Sequence, residues 1–370
     1  MHTRYVVLRV ATVVLIGVMF EICEMRKKTF GIGIIGCGLI GQKRAKSLGE
    51  GGRLVACADI DKKRAKSLAD TTNATAFDDW QELLKLPEVE LVVVATLHDS
   101  LAEITLAAIE AGKHILVEKP AARLAKELEP VIEASIQSEV KVHVGFNHRY
   151  HPGVLRAKSI VDSGRMGNII TLRGLYGKSG GKNFSQSWRN DFKIAGGGIL
   201  LDQGIHMLDL FNYFLGGFTS LKSFLSDSHW GFEVEDNAVV ILKNDYDQLA
   251  TLHSSSTFWK HMFQLNVILE KGYLKLEGLL SKTGSYGRET LVIGQRQFED
   301  EAAALGNPSE EIIYFDKDLS WELELNQFID CILNDKPVLE SNSTDAYNAM
   351  ELVHRCYQDS DFAIYQSEKN

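Results

Sequence analysis

Short apolar runs alternate with helical stretches along the first half of the chain. Each run has the length of a buried strand, and each stretch repeats its apolar positions at helical spacing. Alternation of this kind predicts an α/β domain built on a doubly wound parallel sheet. The predicted strands span residues 30–35, 54–58, 89–95 and 114–117, and the helices span residues 42–48, 78–86 and 101–111.

The pattern changes beyond residue 147. After a predicted helix at residues 154–163, apolar and polar residues alternate with the period of a strand that has one covered face. This predicts an α+β domain with a large, open and mostly antiparallel sheet. Two amphipathic helices, at residues 321–333 and 346–357, are expected to pack at the domain junction. The strands are predicted at residues 169–176, 221–225, 238–242, 250–255, 263–269 and 273–276.

The first 26 residues form an extra segment. Its apolar run at residues 5–20 contains Arg9, is shorter than the roughly 20 residues that span a bilayer, and lacks a small-residue cleavage site. Because Met25 stands shortly before the first predicted strand, we favour an over-extended start. A membrane anchor or signal stays open as the alternative. Residues 27–147 and 148–370 then form the two domains.

Composition narrows the class of protein. A chain of 370 residues exceeds the roughly 100 to 200 residues of one domain, in line with two cores. The formal net charge of −9 leaves no basic surplus for nucleic acid, whereas a small neutral or anionic substrate stays possible. The five cysteines are scattered without a CxxC pair, so no metal site and a cytoplasmic location are expected.

A glycine loop follows the first predicted strand directly. Gly36-Cys37-Gly38-Leu39-Ile40-Gly41 is a GxGxxG sequence between a strand and a helix, where a pyrophosphate rests on backbone N–H groups. Asp59 ends the second strand, about 20 residues further on, where a carboxylate binds the ribose hydroxyls. The pair predicts a Rossmann domain that binds NAD. NADP is disfavoured by Asp59, although nearby Lys62, Lys63 and Arg64 leave dual use open.

Polar residues follow the next strands of the predicted parallel sheet. Ligands of such sheets gather at the carboxyl ends of the strands. Thr96 and His98 follow the third predicted strand, and Glu118 and Lys119 follow the fourth. All four are therefore predicted to contact the cofactor, together with the residues of the glycine loop, Gly36, Gly38, Leu39, Ile40 and Gly41, and Asp59.

Three separated motifs resemble the Gfo/Idh/MocA oxidoreductases, which include glucose-fructose oxidoreductase and inositol dehydrogenase. They are the glycine loop with Asp59, the sequence AGKHILVEKP at residues 111–120, and the sequence GGGILLDQGIHMLD at residues 196–209. The resemblance implies a catalytic set of Lys119, Asp202 and His206. It also implies pairing through the open sheet, as a homodimer or homotetramer. Within the family, residues 145–152, 176–177, 180–181 and 188–189 look most like sugar-nucleotide-linked members.

The chemistry of alcohol oxidation suits the residue types of this set. The hydroxyl proton needs a base and the oxygen needs a cation or donor, and His206 and Lys119 can serve these two needs. If residues 199–214 form one helix, Asp202, His206 and Asp209 lie at i, i+4 and i+7 on one face. Asp209 is either an anchor for the site or a solvated helix charge, and the sequence does not choose between them.

Polar and aromatic residues at loops and strand ends are candidate substrate contacts. Arg149 or Arg189 could grip a substrate phosphate, which would favour a sugar nucleotide, but ordinary ion pairing fits both arginines as well. His143 and His114 lie in apolar runs and are assigned to the core. The predicted substrate-binding set is Asn147, Arg149, Tyr176, Trp188, Asp202 and His206, and His98 and His148 are further candidates.

The predicted function is NAD-dependent hydride transfer at a secondary alcohol or ketone carbon of a sugar, sugar nucleotide or polyol. The competing hypothesis is a sensor that binds NAD on the same fold without turnover, because a fold alone does not determine function. The complete set of Lys119, Asp202 and His206 favours the enzyme. Membrane association is not expected.

Overall fold

The computed structural model describes residues 29–181, 184–281, 283–297, 309–360 and 362. The extra segment predicted at residues 1–26 lies outside these described residues. Among the residues that are described, no helix is both long and apolar enough to cross a membrane.

A six-stranded parallel sheet forms the first half of the structure. Its order, β3-β2-β1-β4-β5-β6, is that of a doubly wound nucleotide-binding sheet. The fold class predicted from the alternation is confirmed. The strands are β1 (Phe30–Ile35), β2 (Gly52–Ala58), β3 (Thr75–Phe77), β4 (Leu91–Val94), β5 (His114–Glu118) and β6 (Val142–Gly145); the helices are α1 (Leu39–Lys46), α2 (Lys62–Ala69), α3 (Trp80–Leu84), α4 (His98–Glu110) and α5 (Glu129–Gln137).

An eight-stranded sheet forms the second half, in the order β14-β13-β12-β11-β7-β10-β9-β8. All neighbours are antiparallel except β7 and β10, which run parallel. Its strands are β7 (Ile169–Gly177), β8 (Ser220–Ser226), β9 (Asn237–Lys243), β10 (Leu249–Ser255), β11 (Met262–Leu269), β12 (Gly272–Glu277), β13 (Glu289–Gln295) and β14 (Glu310–Phe315); the helices are α6 (Pro152–Asp162), α7 (Phe192–Ala195), α8 (Ile205–Leu215), α9 (Ser320–Leu333) and α10 (Ser343–Asp359).

The structure adds four strands that the hydrophobic pattern did not predict, β3 and β6 in the parallel sheet and β13 and β14 in the second sheet. Strand β14 lies at the edge of the sheet, and most of its side chains are exposed. An exposed edge strand shows little apolar alternation, because neither of its faces has to enter the core. The six strands predicted between residues 169 and 276 are all present.

The last two helices connect the two sheets. Phe328 and Ile329 of α9 pack into the apolar cluster on one face of the parallel sheet. Ala349 and Val353 of α10 join the cluster that extends through the second sheet and α8. The buried carboxylate of Glu324 on α9 pairs with Arg44, 2.5 Å away, which ties this helix to the start of the nucleotide-binding half. Residues that follow β4 and β5 line one cleft together with residues of the second half.

Candidate active site

The glycine loop has the backbone that a pyrophosphate requires. Gly36 has φ +94, and a Cβ there would lie 2.5 Å from the Ala95 carbonyl oxygen. A Cβ on Gly41 would lie 1.9 Å from the carbonyl oxygen of Gly36. Gly38 differs, because a Cβ there would meet nothing within 4 Å. The open space therefore lies beside Gly38, at the amino end of α1, where N–H groups attract an anion.

Asp59 stands beside this loop. One of its carboxylate oxygens accepts a bond from the backbone N–H of Cys37 at 2.8 Å, and the other accepts from that of Asp61 at 2.8 Å. The side chain stays partly exposed, as binding of a ribose requires. Lys62, which could have bound an additional phosphate, pairs with Asp78 at 2.5 Å. This arrangement favours NAD over NADP.

Changing Gly38 to alanine separates cofactor binding from folding. The new methyl group would occupy the open space beside α1 without touching the protein. We expect NADH affinity to fall by about tenfold, the loss of about one charge-assisted hydrogen bond, while the melting temperature is unchanged. Gly217→Ala is the matched control, because its Cβ also meets nothing within 4 Å but lies away from the loop. Unaltered NADH affinity in Gly38→Ala would contradict this placement of the pyrophosphate.

A cleft of about 360 Å³ continues from the glycine loop to the second sheet. Most of the residues predicted for the site lie on its wall. From the parallel sheet these are Leu39, Ile40, Thr96, His98, Glu118 and Lys119; from the other half they are Asn147, His148, Tyr176, Trp188, Arg189, Asp202 and His206. Within the described part of the chain, no group of His, Cys, Asp and Glu side chains is arranged to hold a metal ion.

Lys119 and Asp202 meet at the centre of the cleft. Lys119 follows β5, and its bond to Pro120 is cis. Its ammonium donates to the Asp202 carbonyl oxygen at 2.6 Å and lies 3.4 Å from the Asp202 carboxylate. Two further cations bind the same carboxylate, Lys178 and Arg189, the latter through Nε at 3.1 Å. The carboxylate of Asp202 therefore contacts three cations.

The helix predicted at residues 199–214 is interrupted at its start. Leu200–Gly204 form one turn of π-helix, and the regular helix α8 begins only at Ile205. A π turn is wider than an α turn and changes the direction in which later side chains point. Asp202 in the π turn and His206 in α8 both line the cleft, whereas Asp209 does not. The prediction that all three share one face is wrong for Asp209.

Arg149 explains where Asp209 points. Its guanidinium donates to the two carboxylate oxygens of Asp209 at 2.9 and 2.6 Å, and also to Asp345 at 2.9 Å. Arg149 and Asp209 are buried, and Arg149 does not line the cleft. The sequence had suggested that Arg149 contacts the substrate, but the structure places it outside the cleft. Of the two roles left open for Asp209, a solvated helix charge is ruled out. The carboxylate of Asp209 ties α8 to the buried guanidinium of Arg149.

His206 packs flat against His148, with ring centroids 3.8 Å apart. Its Nδ1 atom is buried and has no hydrogen-bond partner among the described residues. Buried polar atoms are nearly always paired, so an atom of this kind indicates a missing partner. His148 is fixed on its other side, since Nε2 lies 2.9 Å from the Tyr176 hydroxyl and Nδ1 lies 3.2 Å from the Asn147 amide oxygen. His148 thus holds the ring of His206 in place.

The surroundings set the protonation states. Burial would raise the pKa of Asp202, but Lys178, Arg189 and Lys119 hold that pKa well below its ordinary value. Burial, assisted by the charge of Lys119, holds the pKa of His206 well below 6.5. Burial also lowers the pKa of Lys119, against the pull of Asp202. The cleft therefore combines an ionised carboxylate, a neutral imidazole and a lysine that loses its proton more readily than usual.

Two of the predicted cofactor contacts have additional structural partners. Glu118 accepts a bond from the Arg44 guanidinium at 2.6 Å, and burial raises its pKa. His98 hydrogen-bonds through Nδ1 to the carbonyl oxygen of Ala195 at 2.9 Å and packs edge-on against Trp188. Burial lowers the pKa of His98 to about 3, so its ring is neutral. Both still line the cleft.

Sequence reasoning missed some residues of the cleft. Lys178 lies two residues after the predicted strand 169–176, and its position near a strand end was the available signal. Gln203 and Tyr286 also line the cleft, joined by a hydrogen bond of 3.1 Å from the tyrosine hydroxyl. Tyr286 precedes β13, which was not predicted, so no pattern pointed to it.

Comparison with known families agrees with this geometry. Residues 30–146 match the model of an oxidoreductase family with an NAD-binding Rossmann fold, and residues 154–275 match the model of the GFO/IDH/MocA C-terminal domain. The chain belongs to the Gfo/Idh/MocA family. The family resemblance and the NAD-binding domain predicted from the motifs are confirmed.

Several characterised relatives are dehydrogenases by name. Levoglucosan dehydrogenase from Pseudarthrobacter phenanthrenivorans is 37% identical over 150 residues, which are 40% of this chain and 38% of that protein. Inositol 2-dehydrogenase from Gluconacetobacter diazotrophicus is 32% identical over 195 residues, 51% of this chain and 55% of that protein. The chain thus spans about half the length of these relatives or less.

The structural similarity to known proteins covers more of the chain than these sequence matches do. The structure of levoglucosan dehydrogenase in complex with NADH and levoglucosan superimposes with a TM-score of 0.80 at 21% identity, covering 90% of this chain and 98% of that one. Aldose-aldose oxidoreductase from Caulobacter crescentus, complexed with glycerol, gives a TM-score of 0.78 at 20% identity, with 90% and 98% covered. At such identities the likeness establishes the shared fold.

Proposed function

We propose that the protein is an NAD-dependent oxidoreductase that transfers hydride between the cofactor and a carbinol carbon of a sugar or polyol. One observation carries the proposal: Lys119, Asp202 and His206 line a single cleft that opens onto the glycine loop. The open space beside Gly38 and the carboxylate of Asp59 fit the pyrophosphate and ribose of NAD. NAD, when bound, supplies the hydride acceptor.

Side chains of the cleft accept the proton and stabilise the charge on the substrate oxygen. The neutral ring of His206 takes the hydroxyl proton. Lys119 donates to the substrate oxygen and stabilises the charge that develops on it. Asp202 holds the lysine at 2.6 Å through its backbone carbonyl and balances its charge. Predicted substrate contacts retained by this proposal are Asn147, Tyr176 and Trp188, with His148 orienting the base.

The size of the cleft bears on the substrate. Ligand pockets span about 300–1,000 Å³, and this cleft of about 360 Å³ lies at the lower end. One sugar or polyol ring beside a nicotinamide fits that volume better than a sugar nucleotide does. The named relatives and structural neighbours, which include levoglucosan and inositol dehydrogenases, support a small substrate. We therefore favour free sugars and polyols over sugar nucleotides.

The proposal is tested by the absorbance of reduced nicotinamide when the purified protein and NAD meet inositols, levoglucosan, aldoses and sugar nucleotides. Turnover with the small rings is expected. Bound NAD without turnover of any member, in either direction, would favour the sensor over the enzyme. Because a tightly held cofactor would hide turnover, the spectrum of the bound cofactor is recorded alongside the free one.

The rate of oxidation should depend on pH in a predictable way. The base must be unprotonated, so kcat/KM falls as the pH drops through the pKa of His206, which lies below 6.5. The cation must be protonated, so kcat/KM also falls as the pH rises through the pKa of Lys119, which lies below 10.5. A bell-shaped profile with its acid limb below pH 6.5 is expected. An acid limb on the other side of that value would contradict the assignment of His206.

We also propose that the protein forms a homodimer or homotetramer through the open face of the second sheet. Phe224, Val239 and Ile241 lie on that face with exposures of 80%, 43% and 47%. Phe224 stands directly opposite Val239 in the register of β8 and β9, so the apolar side chains are contiguous. Light scattering of Phe224→Asp beside the parent protein tests this, with dissociation expected.

A further inference from the structure

The cleft holds more positive than negative charge around its central carboxylate. Lys119, Lys178 and Arg189 all contact Asp202 and no other carboxylate that the structure describes. Lys119 is assigned to the reacting oxygen of the substrate. Asp202 balances the charge of one cation, so two of the three positive charges have no carboxylate in contact among the described residues. A cation in a poorly hydrated cleft is costly unless it is paired.

Other acidic groups line the cleft but contact none of these three cations. Glu118 lines the cleft but is engaged by Arg44 at 2.6 Å. Asp318 accepts a bond from the Ser320 hydroxyl at 2.6 Å. Burial holds the pKa of both His148 and His206 well below 6.5, so neither ring adds or removes charge. The oxidised nicotinamide would bring one more positive charge into the cleft.

Lys178 and Arg189 are placed to receive a ligand. Their side chains keep 22% and 34% of their surface exposed, whereas that of Asp202 keeps 8%. Arg189 lies over the Trp188 ring at 4.4 Å, which fixes the plane of the guanidinium. It binds Asp202 through Nε alone, and in the described part of the chain its terminal nitrogens have no acceptor. A planar pair of N–H donors of this kind matches a carboxylate.

We infer that the substrate is a sugar acid, whose carboxylate binds Arg189 and Lys178 while a neighbouring carbinol reacts at Lys119 and His206. The inference rests on the proposed function and narrows its substrate class. A substrate carboxylate would give Arg189 and Lys178 a second acceptor beside Asp202, whereas a neutral polyol brings no charge to these two cations. In the reaction the carbinol C–H gives a hydride to NAD and its O–H gives a proton to His206. The product is a keto acid whose carboxylate is unchanged.

Matched pairs of substrates test the inference. D-gluconate is compared with D-glucitol, and D-glucuronate with D-glucose, by kcat/KM with NAD and by calorimetric binding to the NADH-loaded protein. Each acid is expected to exceed its neutral counterpart by about tenfold or more, the effect of hydrogen bonds to charged groups. In Arg189→Met and Lys178→Met the ratio of acid to neutral falls toward one. Arg189→Lys, which keeps the charge, retains part of it.

The ratio is the informative quantity, because both cations also contact Asp202 and their loss affects every substrate alike. Lys193→Met serves as control: it removes the same charge from an exposed lysine of α7 that does not line the cleft, and the ratio should be unchanged. Neutral compounds that react and bind as well as the acids would overturn the inference and leave the oxidoreductase standing. Acids that bind selectively without turnover would support the inference and count against the oxidoreductase. Binding of neither class would overturn the inference.

Discussion

Replacing Lys119 with methionine is expected to lower kcat/KM for oxidation by about 10² to 10³, the usual effect of removing one donor to a developing oxyanion. Methionine keeps the length of the side chain and removes its charge. The ammonium lies 2.6 Å from the Asp202 carbonyl oxygen. Because Lys119 is one of several predicted cofactor contacts, NADH affinity should change much less than kcat/KM. Steady-state rates and NADH fluorescence titration measure the two effects separately.

Lys113→Met is the control for that variant. Lys113 lies just before the same strand, β5, and its ammonium donates to the Leu86 carbonyl oxygen at 2.8 Å, outside the cleft. The same change of residue should leave kcat/KM within about twofold of the parent value, since it touches no group of the site. Equal losses in the two variants would show that the effect of Lys119 is structural.

Replacing Asp209 with alanine is expected to cost about 3–5 kcal/mol of the free energy of unfolding, because it leaves a buried arginine without its main partner. Arg149 binds both oxygens of Asp209, at 2.9 and 2.6 Å, and the aspartate is fully buried. Burial raises the pKa of Asp209 to about 6, against the pull of Arg149. Urea denaturation midpoints measure the loss.

Asp345 provides the comparison. It binds the same guanidinium at 2.9 Å through one oxygen, and its side chain is 27% exposed. Asp345→Ala leaves the bidentate pair of Arg149 and Asp209 intact and should cost about 1 kcal/mol. If Asp209→Ala lowered the free energy of unfolding no more than Asp345→Ala does, the buried pair of Arg149 and Asp209 would not be the contact that stabilises α8.

Local motifs carried most of what the sequence could predict. The glycine loop must follow a strand and open a helix, so Gly36, Gly38 and Gly41 identified both the parallel sheet and the cofactor site. The place of Lys119 at the end of β5 indicated a ligand contact in the same way, whereas the catalytic set of Lys119, Asp202 and His206 was implied by the family resemblance. The positions of the glycine loop and of the strand ends depend on residues that are close in sequence, and hydrophobic periodicity and motif spacing detect such local relations.

What the sequence could not predict depends on pairs that are distant along the chain. Arg149 was assigned to the substrate because nothing local shows its partners, Asp209 and Asp345, which lie on α8 and α10. The π turn was missed because residues 199–214 carry an unbroken helical pattern, and one extra residue in a turn leaves no mark on it. The charge around Asp202 was also missed, since Lys178 reaches it only once β7 and the π turn are packed together.

The most direct test of the account follows the transferred hydrogen. The protein is incubated with NAD and with inositol, levoglucosan or D-gluconate labelled with deuterium at the carbinol carbons, and all cofactor, free and bound, is recovered after denaturation for mass spectrometry. The account predicts deuterium on the reduced nicotinamide, lost in Lys119→Met. Bound cofactor that stays unlabelled with every sugar, polyol and sugar acid would contradict it and favour a sensor that binds NAD without turnover.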